Sequence, residues 1–190
     1  RLSDIARGLF DVPPAGARRL LEARLAGIRV VTVYVPNGTA VGSERFAYKL
    51  DWFRRLRAHL AARSDPDDLV LVCGDFNVAP EERDVHDPEA WRGNLLFHPD
   101  ERARLAELMS WGLVDALRRF TPEAGLYTWW DYRAGAFHRG WGLRIDLMLM
   151  TEPLARRCRS IRIDRAARKG PKPSDHAPVI AEFDLPRGTP

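Results

Sequence analysis

The chain has 190 residues, of which 45% are hydrophobic and 29% are charged, which suits one globular domain with a substantial core. Apolar runs stay well short of the ~20 residues that a membrane span needs, which excludes a membrane-spanning protein. The net charge of +4 weakly favours a polyanionic partner. The two cysteines, Cys73 and Cys158, fit no metal-binding spacing. Cys73 lies within an apolar run, which favours a buried thiol in a reducing compartment.

Strand and helix patterns alternate along the chain. The β-branched run at residues 28–35 predicts a buried strand that Pro36-Asn37-Gly38 ends. After Ser43, apolar residues recur at helical spacing as far as Leu60, which predicts a long helix. Further strands are predicted at residues 69–73, 143–150 and 178–183, and a second helix at about residues 100–109. This irregular alternation favours a mixed sheet covered by helices.

Acidic residues lie at the ends of these predicted strands. Gly74-Asp75-Phe76-Asn77 follows one strand, Ser174-Asp175-His176 precedes another, and Asp146 lies inside the run at 143–150. Each of the first two motifs alone could simply form a turn. Asp146 is harder to explain in that way, because a carboxylate is costly to bury unless it is paired. Carboxylates for a hard cation, with a histidine and a carboxamide for a phosphate, suit metal-assisted phosphodiester hydrolysis.

Longer blocks extend this pattern over most of the chain. They lie at residues 33–38, 74–77, 109–115, 127–133, 142–146 and 172–178. Together they resemble the exonuclease III group of apurinic/apyrimidinic endonucleases, within the endonuclease/exonuclease/phosphatase superfamily. Ser-Trp-Gly-Leu-Val-Asp at 110–115 and Trp-Trp-Asp-Tyr-Arg at 129–133 favour this group. Sphingomyelinases, inositol phosphatases and deadenylases share only the Gly-Asp-x-Asn and Ser-Asp-His elements.

The resemblance implies a fold and an activity. The fold would be a four-layered α/β sandwich of two mixed sheets flanked by helices, formed by residues 1–190 as one partial domain. The activity would be that of a DNA repair nuclease that depends on Mg²⁺, with Mn²⁺ as a possible substitute. Its substrate would be double-stranded DNA, cleaved at abasic sites and trimmed at 3′ ends. Such an enzyme would act as a monomer in the cytoplasm.

The resemblance also implies catalytic roles. Asp75 would orient or deprotonate the attacking water, and Asn77 beside it would hold the phosphate. His176 would contact the scissile phosphate, with its ring oriented by Asp146. We therefore expect His176 and Asp146 to lie within hydrogen-bonding distance. Tyr34 would place its hydroxyl on the phosphate.

Further residues would bind the metal and the substrate. Asp175 would be a metal-site carboxylate, and Asn37 would contribute to substrate binding. Trp129, Leu143 and Ile145 would form an apolar pocket for a flipped-out abasic sugar. We expect these three side chains to keep apolar surface open beside His176, although Trp129 could also be an ordinary core residue.

The basic loop at residues 162–172 has two interpretations. Its cationic side chains could grip DNA phosphates, or they could simply be solvated. The residues concerned are Arg165, Arg168, Lys169 and Lys172.

One part of the family pattern has no match before Tyr34. Members begin with a strand that ends in asparagine, followed by a strand that ends in Gln-Glu, whose glutamate is the main metal ligand. Glu22 is the only glutamate before Tyr34, and it follows no apolar strand. We therefore expect roughly the first quarter of the domain to be absent and metal binding to be weakened. The alternatives are an inactive DNA-binding module and a phosphatase that acts on a small phosphoester.

Overall fold

The computed structural model describes residues 2–9 and 18–184, so residues 1, 10–17 and 185–190 of the expected domain lie outside the described part. The strands are β1 Ser3–Arg7, β2 Leu20–Leu25, β3 Ile28–Tyr34, β4 Val70–Asp75, β5 Leu113–Asp115, β6 Asp146–Thr151, β7 Cys158–Ile163 and β8 Val179–Phe183. The α-helices are α1 Glu44–Arg63, α2 Pro88–Trp91, α3 Pro99–Met109, α4 Ala116–Phe120, α5 Ala136–Arg139 and α6 Glu152–Ala155. None of these helices is both long and apolar enough to cross a membrane.

Two sheets organise the fold. The larger is six-stranded, in the order β1-β2-β3-β4-β6-β5, and the smaller pairs β7 with β8. Within the larger sheet β3 and β4 are parallel, whereas the other neighbours are antiparallel. The prediction of two sheets with flanking helices is therefore confirmed.

The two faces of the larger sheet have different coverings. One face packs against α1 and α3, where Phe53, Leu56 and Leu108 are fully buried. The opposite face packs against β7, β8, α4 and α6. Because side chains alternate along a strand, neighbouring residues at each strand end point toward opposite coverings.

The long predicted helix is confirmed as α1. Ser43 is its N-cap, and the Ser43 hydroxyl accepts a hydrogen bond from the backbone N–H of Phe46. This bond satisfies one of the free donors of the first turn. The second predicted helix is confirmed as α3, which begins one residue earlier, at Pro99.

The sequence patterns missed β1, β2, β5 and β7. In β2 the apolar alternation is interrupted by Glu22, which is almost completely buried beneath α1. The Glu22 carboxylate lies 2.6 Å from Nη2 of Arg63, 3.2 Å from Nη1 of Arg29 and 3.4 Å from Nε2 of His59. Ion pairs therefore take the place of apolar packing at this position. Glu22 has a structural role in the core.

The predicted strand at residues 143–150 is shorter in the structure. β6 begins only at Asp146, because Leu143 instead forms isolated bridges to Val85 and Trp129. Cys73 also differs from its prediction, since it is only partly buried. Burial nevertheless raises the pKa of the Cys73 thiol to about 11.

Candidate active site

Three strand ends lie side by side on the larger sheet. In the strand register Tyr34 of β3 is opposite Asp75 of β4, and Asp75 is opposite Asp146 of β6. Cross-strand partners point to the same face of a sheet. Residues that are far apart in the sequence are thus brought to one edge by strand pairing.

Hydrogen bonds extend this row to two asparagines. Asn77 donates to Asp75 twice, from its backbone N–H at 2.8 Å and from its side-chain amide at 3.0 Å. The side-chain oxygen of Asn77 accepts from Nδ2 of Asn37 at 3.1 Å. Asn77 has a φ of 51°, in the left-handed region that asparagine tolerates better than most residues. This tight turn places the Asn77 backbone and side chain on the same carboxylate.

The predicted contact between His176 and Asp146 is confirmed. Nδ1 of His176 lies 2.9 Å from Oδ2 of Asp146. Burial alone would lower the pKa of His176, but the hydrogen bond and charge of Asp146, with the charges of Asp75 and Asp175, raise it overall. The pair therefore favours an imidazolium whose other nitrogen, Nε2, is available to an anion.

Asp75 is a weaker acid than an ordinary aspartate. Burial and then the charge of Asp146 raise the pKa of Asp75 to about 6, against the smaller opposing effects of Asn77, His176 and Lys49. A carboxylate with such a pKa can accept a proton near neutral pH, as a general base must.

Asp175 is joined to this region through Trp129. The indole Nε1 of Trp129 donates to Oδ2 of Asp175 at 3.0 Å. Trp129 also forms isolated bridges with His176 and with Leu143. Asp175, predicted as a metal carboxylate, is therefore held by a residue predicted for the pocket.

Tyr34 occupies the solvent side of the row. Half of its surface, 50%, is exposed. The guanidinium carbon of Arg19 lies 4.7 Å from the centroid of the Tyr34 ring. The phenol is accessible to a ligand, and a cation lies beside it.

The expected open pocket is wrong for two of its three residues. Leu143 is 0% exposed and Ile145 is 2% exposed. Both pack into a core cluster that includes Val85 and Phe97, so their side chains face the interior. Trp129 is only partly buried and packs against the edge of the same cluster. Of the three, Trp129 alone keeps part of its surface exposed.

Lys49 is a residue of this region that the sequence patterns missed. Its side chain is fully buried in α1 and forms an ion pair with Glu101 of α3, which is also fully buried. Nζ of Lys49 also donates to the backbone oxygens of Asn37, at 3.1 Å, and Asn77, at 2.6 Å. Lys49 thus ties the two asparagine loops to the helix layer. Lys49 lies within the apolar stripe of α1, and this position in the sequence could have indicated a buried lysine.

The basic loop at residues 162–172 does not present all of its cationic side chains to solvent. Lys169 is exposed, as a phosphate ligand or a solvated cation would be. Arg168 is buried, and it donates to the backbone oxygen of Ser174. A grip on DNA phosphates by all four cationic residues is therefore wrong for Arg168.

The oxygen-rich character of the site suits a hard divalent cation. The charges of Asp146, Asp75 and Asp175 all raise the pKa of His176, so negative charge is concentrated in this region and would attract a cation. Within residues 2–9 and 18–184 no group of three His, Cys, Asp or Glu side chains is arranged to hold a metal. Mg²⁺ is commonly bound by one or two carboxylates, with water and substrate phosphates completing its coordination. The donor chemistry therefore fits a cation of this kind bound through few protein ligands.

Comparison with known proteins identifies the family. Residues 4–176 match the sequence model of the Endonuclease/Exonuclease/phosphatase family. The chain is 34% identical over 171 residues to exodeoxyribonuclease III of Haemophilus influenzae, covering 86% of this chain and 64% of that protein. The chain thus spans less than two thirds of the length of this curated relative.

Solved structures agree with this match. An AP endonuclease from Archaeoglobus fulgidus superposes with a TM-score of 0.92 at 42% identity, covering 97% of this chain and 72% of that one. A 3′ phosphatase from Neisseria, solved with a product DNA hairpin, gives a TM-score of 0.91 at 38% identity and the same coverages, 97% and 72%. The chain belongs to the endonuclease/exonuclease/phosphatase family.

Proposed function

We propose that the protein is a DNA repair nuclease that hydrolyses phosphodiester bonds in double-stranded DNA, at abasic sites and at 3′ ends. The observation that carries this proposal is the hydrogen-bonded pair of His176 and Asp146. This pair lies in strand register beside Asp75, which Asn77 holds with two hydrogen bonds. One edge of the sheet would thus supply a phosphate contact, His176, and an oriented proton acceptor, Asp75.

Asp75 is the proposed general base. Its pKa of about 6 lets the carboxylate be ionised at neutral pH and still accept a proton from water. The two hydrogen bonds from Asn77 fix the direction of the carboxylate. Asn77 and Asn37, which are hydrogen-bonded to each other, would bind the substrate beside it.

His176 is the proposed phosphate contact. Asp146 holds Nδ1, so Nε2 can donate to a non-bridging phosphate oxygen. Tyr34 is half exposed, and its hydroxyl would donate to the same phosphate. Preorganised donors of this kind stabilise the charge that develops in the transition state.

Asp175 is the proposed carboxylate for a divalent cation, Mg²⁺ or Mn²⁺. When bound, such a cation supplies charge neutralisation for the phosphoryl oxygens and for the leaving 3′ oxygen. Trp129 fixes the orientation of Asp175 through its indole N–H. Outer-shell hydrogen bonds of this type tune metal ligands in many sites.

The names of the similar proteins support DNA as the substrate. They include an exodeoxyribonuclease III, an AP endonuclease and a 3′ phosphatase bound to a DNA hairpin. We propose that this protein likewise acts on duplex DNA, as a monomer.

The proposal predicts metal-dependent cleavage. Duplex DNA with a single abasic-site analogue, or with a 3′-phosphate end, should be processed in the presence of Mg²⁺ and left intact when EDTA is added. Denaturing gels of end-labelled DNA measure both reactions. Binding of the same DNA without cleavage would support the inactive DNA-binding alternative. Hydrolysis of a small phosphoester without DNA cleavage would support the phosphatase alternative.

A second prediction concerns Trp129 and substrate choice. Trp129→Ala should lower abasic-site incision by about tenfold more than it lowers 3′ exonuclease activity, because an apolar wall that meets the sugar contributes about 1–3 kcal/mol. Rates on the two substrates, measured under the same conditions, give this ratio.

Trp129→Phe is the matched control for this prediction. Phenylalanine keeps an aromatic wall but loses the N–H that Asp175 accepts. Losses on both substrates should therefore be similar in Trp129→Phe. If Trp129→Ala also reduces both activities equally, Trp129 only packs in the core and substrate discrimination lies elsewhere.

A further inference from the structure

The turn immediately before His176 is held by hydrogen bonds from other parts of the chain. The backbone oxygens of three successive residues, Pro173, Ser174 and Asp175, each accept a hydrogen bond from another part of the chain. The hydroxyl of Tyr132 donates to the first at 2.9 Å. The backbone N–H of Trp130 donates to the third at 3.0 Å. These three hydrogen bonds, here called the clamp, fix the backbone of the turn that leads to His176.

Arg168 supplies the middle contact of this clamp. Its guanidinium donates to the backbone oxygen of Ser174. Among the donors to these three oxygens it is the one that carries a charge, and charge-assisted hydrogen bonds are stronger than neutral ones. The contact lies immediately before Asp175 and His176.

Aromatic rings enclose the Arg168 side chain. Its guanidinium carbon lies 4.9, 5.6 and 5.8 Å from the ring centroids of Phe137, Tyr132 and Trp130. Cation–π contacts gain strength when the cation is removed from water, and only 6% of Arg168 is exposed. A planar guanidinium can stack on several rings and still donate in its own plane, which a lysine ammonium cannot do equally well.

We propose that Arg168 is a positioning residue for the turn that carries Asp175 and His176, and that it does not bind DNA phosphates. The catalytic meaning of this inference rests on the proposed function of that turn. Its structural content stands independently, because the aromatic enclosure and the Ser174 contact use the guanidinium in the folded protein. In the basic loop Arg168 thus faces the interior, whereas Arg165, Lys169 and Lys172 are exposed.

Lys169 provides a matched control within the same loop. It carries the same charge, it is the next residue in the chain, and it is exposed. Arg168→Met and Lys169→Met therefore remove one positive charge each from almost the same place. They differ in whether the clamp on Ser174 is lost.

The first measurement is hydrogen exchange of the backbone amides at residues 174–177. Arg168→Met should speed this exchange by about tenfold or more, since a lost clamp lowers the free energy of local opening. Lys169→Met should leave it unchanged. Unaltered exchange in a folded Arg168→Met variant would overturn the inference, whether or not the protein cleaves DNA.

The second measurement separates positioning from phosphate binding. Arg168→Met should lower kcat by roughly tenfold to a hundredfold, as small displacements of reacting groups do. The KM for DNA and its salt dependence should stay within about twofold of the unchanged protein. A phosphate ligand behaves differently, because its removal weakens binding and reduces the salt slope by about one. That result for Arg168→Met would also overturn the inference.

Arg168→Lys covers the case in which Arg168→Met does not fold. Lysine keeps the charge and one donor for Ser174 but stacks less well on the rings, so it should keep only part of the amide protection and of kcat. An Arg168→Lys variant with unaltered amide exchange and kcat but a raised KM for DNA would contradict a positioning role. Absence of cleavage by the unchanged protein would count against the proposed function alone, since hydrogen exchange still decides the role of Arg168.

Discussion

Replacing Asp75 with asparagine should lower phosphodiester cleavage by about a thousandfold, the typical contribution of a positioned general base. Asparagine has nearly the same shape and can still accept the hydrogen bond from the backbone N–H of Asn77. Its amide cannot take a proton from water near neutral pH. DNA affinity should stay within about twofold, because the proposed phosphate contacts lie on other residues. Single-turnover cleavage and fluorescence anisotropy measure the two quantities.

Asp67→Asn is a suitable control for this substitution. Asp67 is exposed in the turn before β4, and its replacement makes the same change in net charge. Cleavage by this variant should match that of the unchanged protein. Substantial cleavage by Asp75→Asn would show that another group removes the proton from water.

The acidity of Asp75 adds a pH dependence. Its pKa is raised from 3.8 to about 6 by burial and by the charge of Asp146, so the proposed base should become ionised as the pH of the metal-free protein increases through that value. Asp146→Asn removes the second largest cause of the shift and should lower the pKa of Asp75. Carbon-13 NMR of the carboxyl groups measures this titration without any substrate.

The same shift affects stability with a definite sign. The folded protein binds the Asp75 proton more tightly than the unfolded chain does. The stabilisation is therefore fully present below about pH 3.8 and is lost as the pH rises through about 6. Relative to Asp75→Asn, the unchanged protein should lose up to roughly 3 kcal/mol of unfolding free energy over this range. Denaturant titrations at several pH values measure the difference.

Local patterns in the sequence were sufficient for much of the architecture. The apolar spacing after Ser43 depends on neighbouring residues and predicted α1 correctly. The acidic motifs singled out Asp75, Asp146 and His176, which the structure brings together. Strand β2 escaped prediction because Glu22 is a charged residue at a buried position of the strand. Its ion pairs come from Arg63 and Arg29, which the pattern of β2 alone does not reveal.

Long-range contacts account for what the sequence left open. Whether Arg168 faces DNA or the interior depends on the rings of Trp130 and Phe137, which lie more than thirty residues earlier in the chain. Burial of Leu143 and Ile145 depends on the loop that contributes Phe97. A run of charged residues or a pair of apolar residues in the sequence does not indicate which part of the folded chain will pack against it. These features follow from tertiary packing.

Replacing Lys49 with methionine should reduce the unfolding free energy by about 3–5 kcal/mol, the usual cost of leaving one member of a buried ion pair alone. The side chains of Lys49 and Glu101 are both 0% exposed, so Glu101 would stay buried without the cation that now pairs with it. The backbone oxygens of Asn37 and Asn77 would also lose their donor. Denaturant-induced unfolding, followed by circular dichroism, measures the change.

Arg54→Met on the same helix is the control for this measurement. Arg54 pairs with Asp51 on the exposed side of α1, and such surface pairs contribute about 0–1 kcal/mol. A cost for Lys49→Met as small as that of Arg54→Met would show that the buried pair contributes little to the fold.

A double variant separates the role of Lys49 in stability from its role in the site. Lys49→Met combined with Glu101→Gln leaves no unpaired buried charge, and glutamine can still accept the hydrogen bond that the backbone N–H of His98 donates to Glu101. Most of the lost stability should return, apart from about 1–3 kcal/mol for the unpaired oxygens of Asn37 and Asn77. Lys49→Met alone should also lower cleavage, because the loops of Asn37 and Asn77 lose their tie to α1, and the double variant should not restore it. Recovery of both stability and cleavage would mean that Lys49 only neutralises Glu101 and does not position the asparagines.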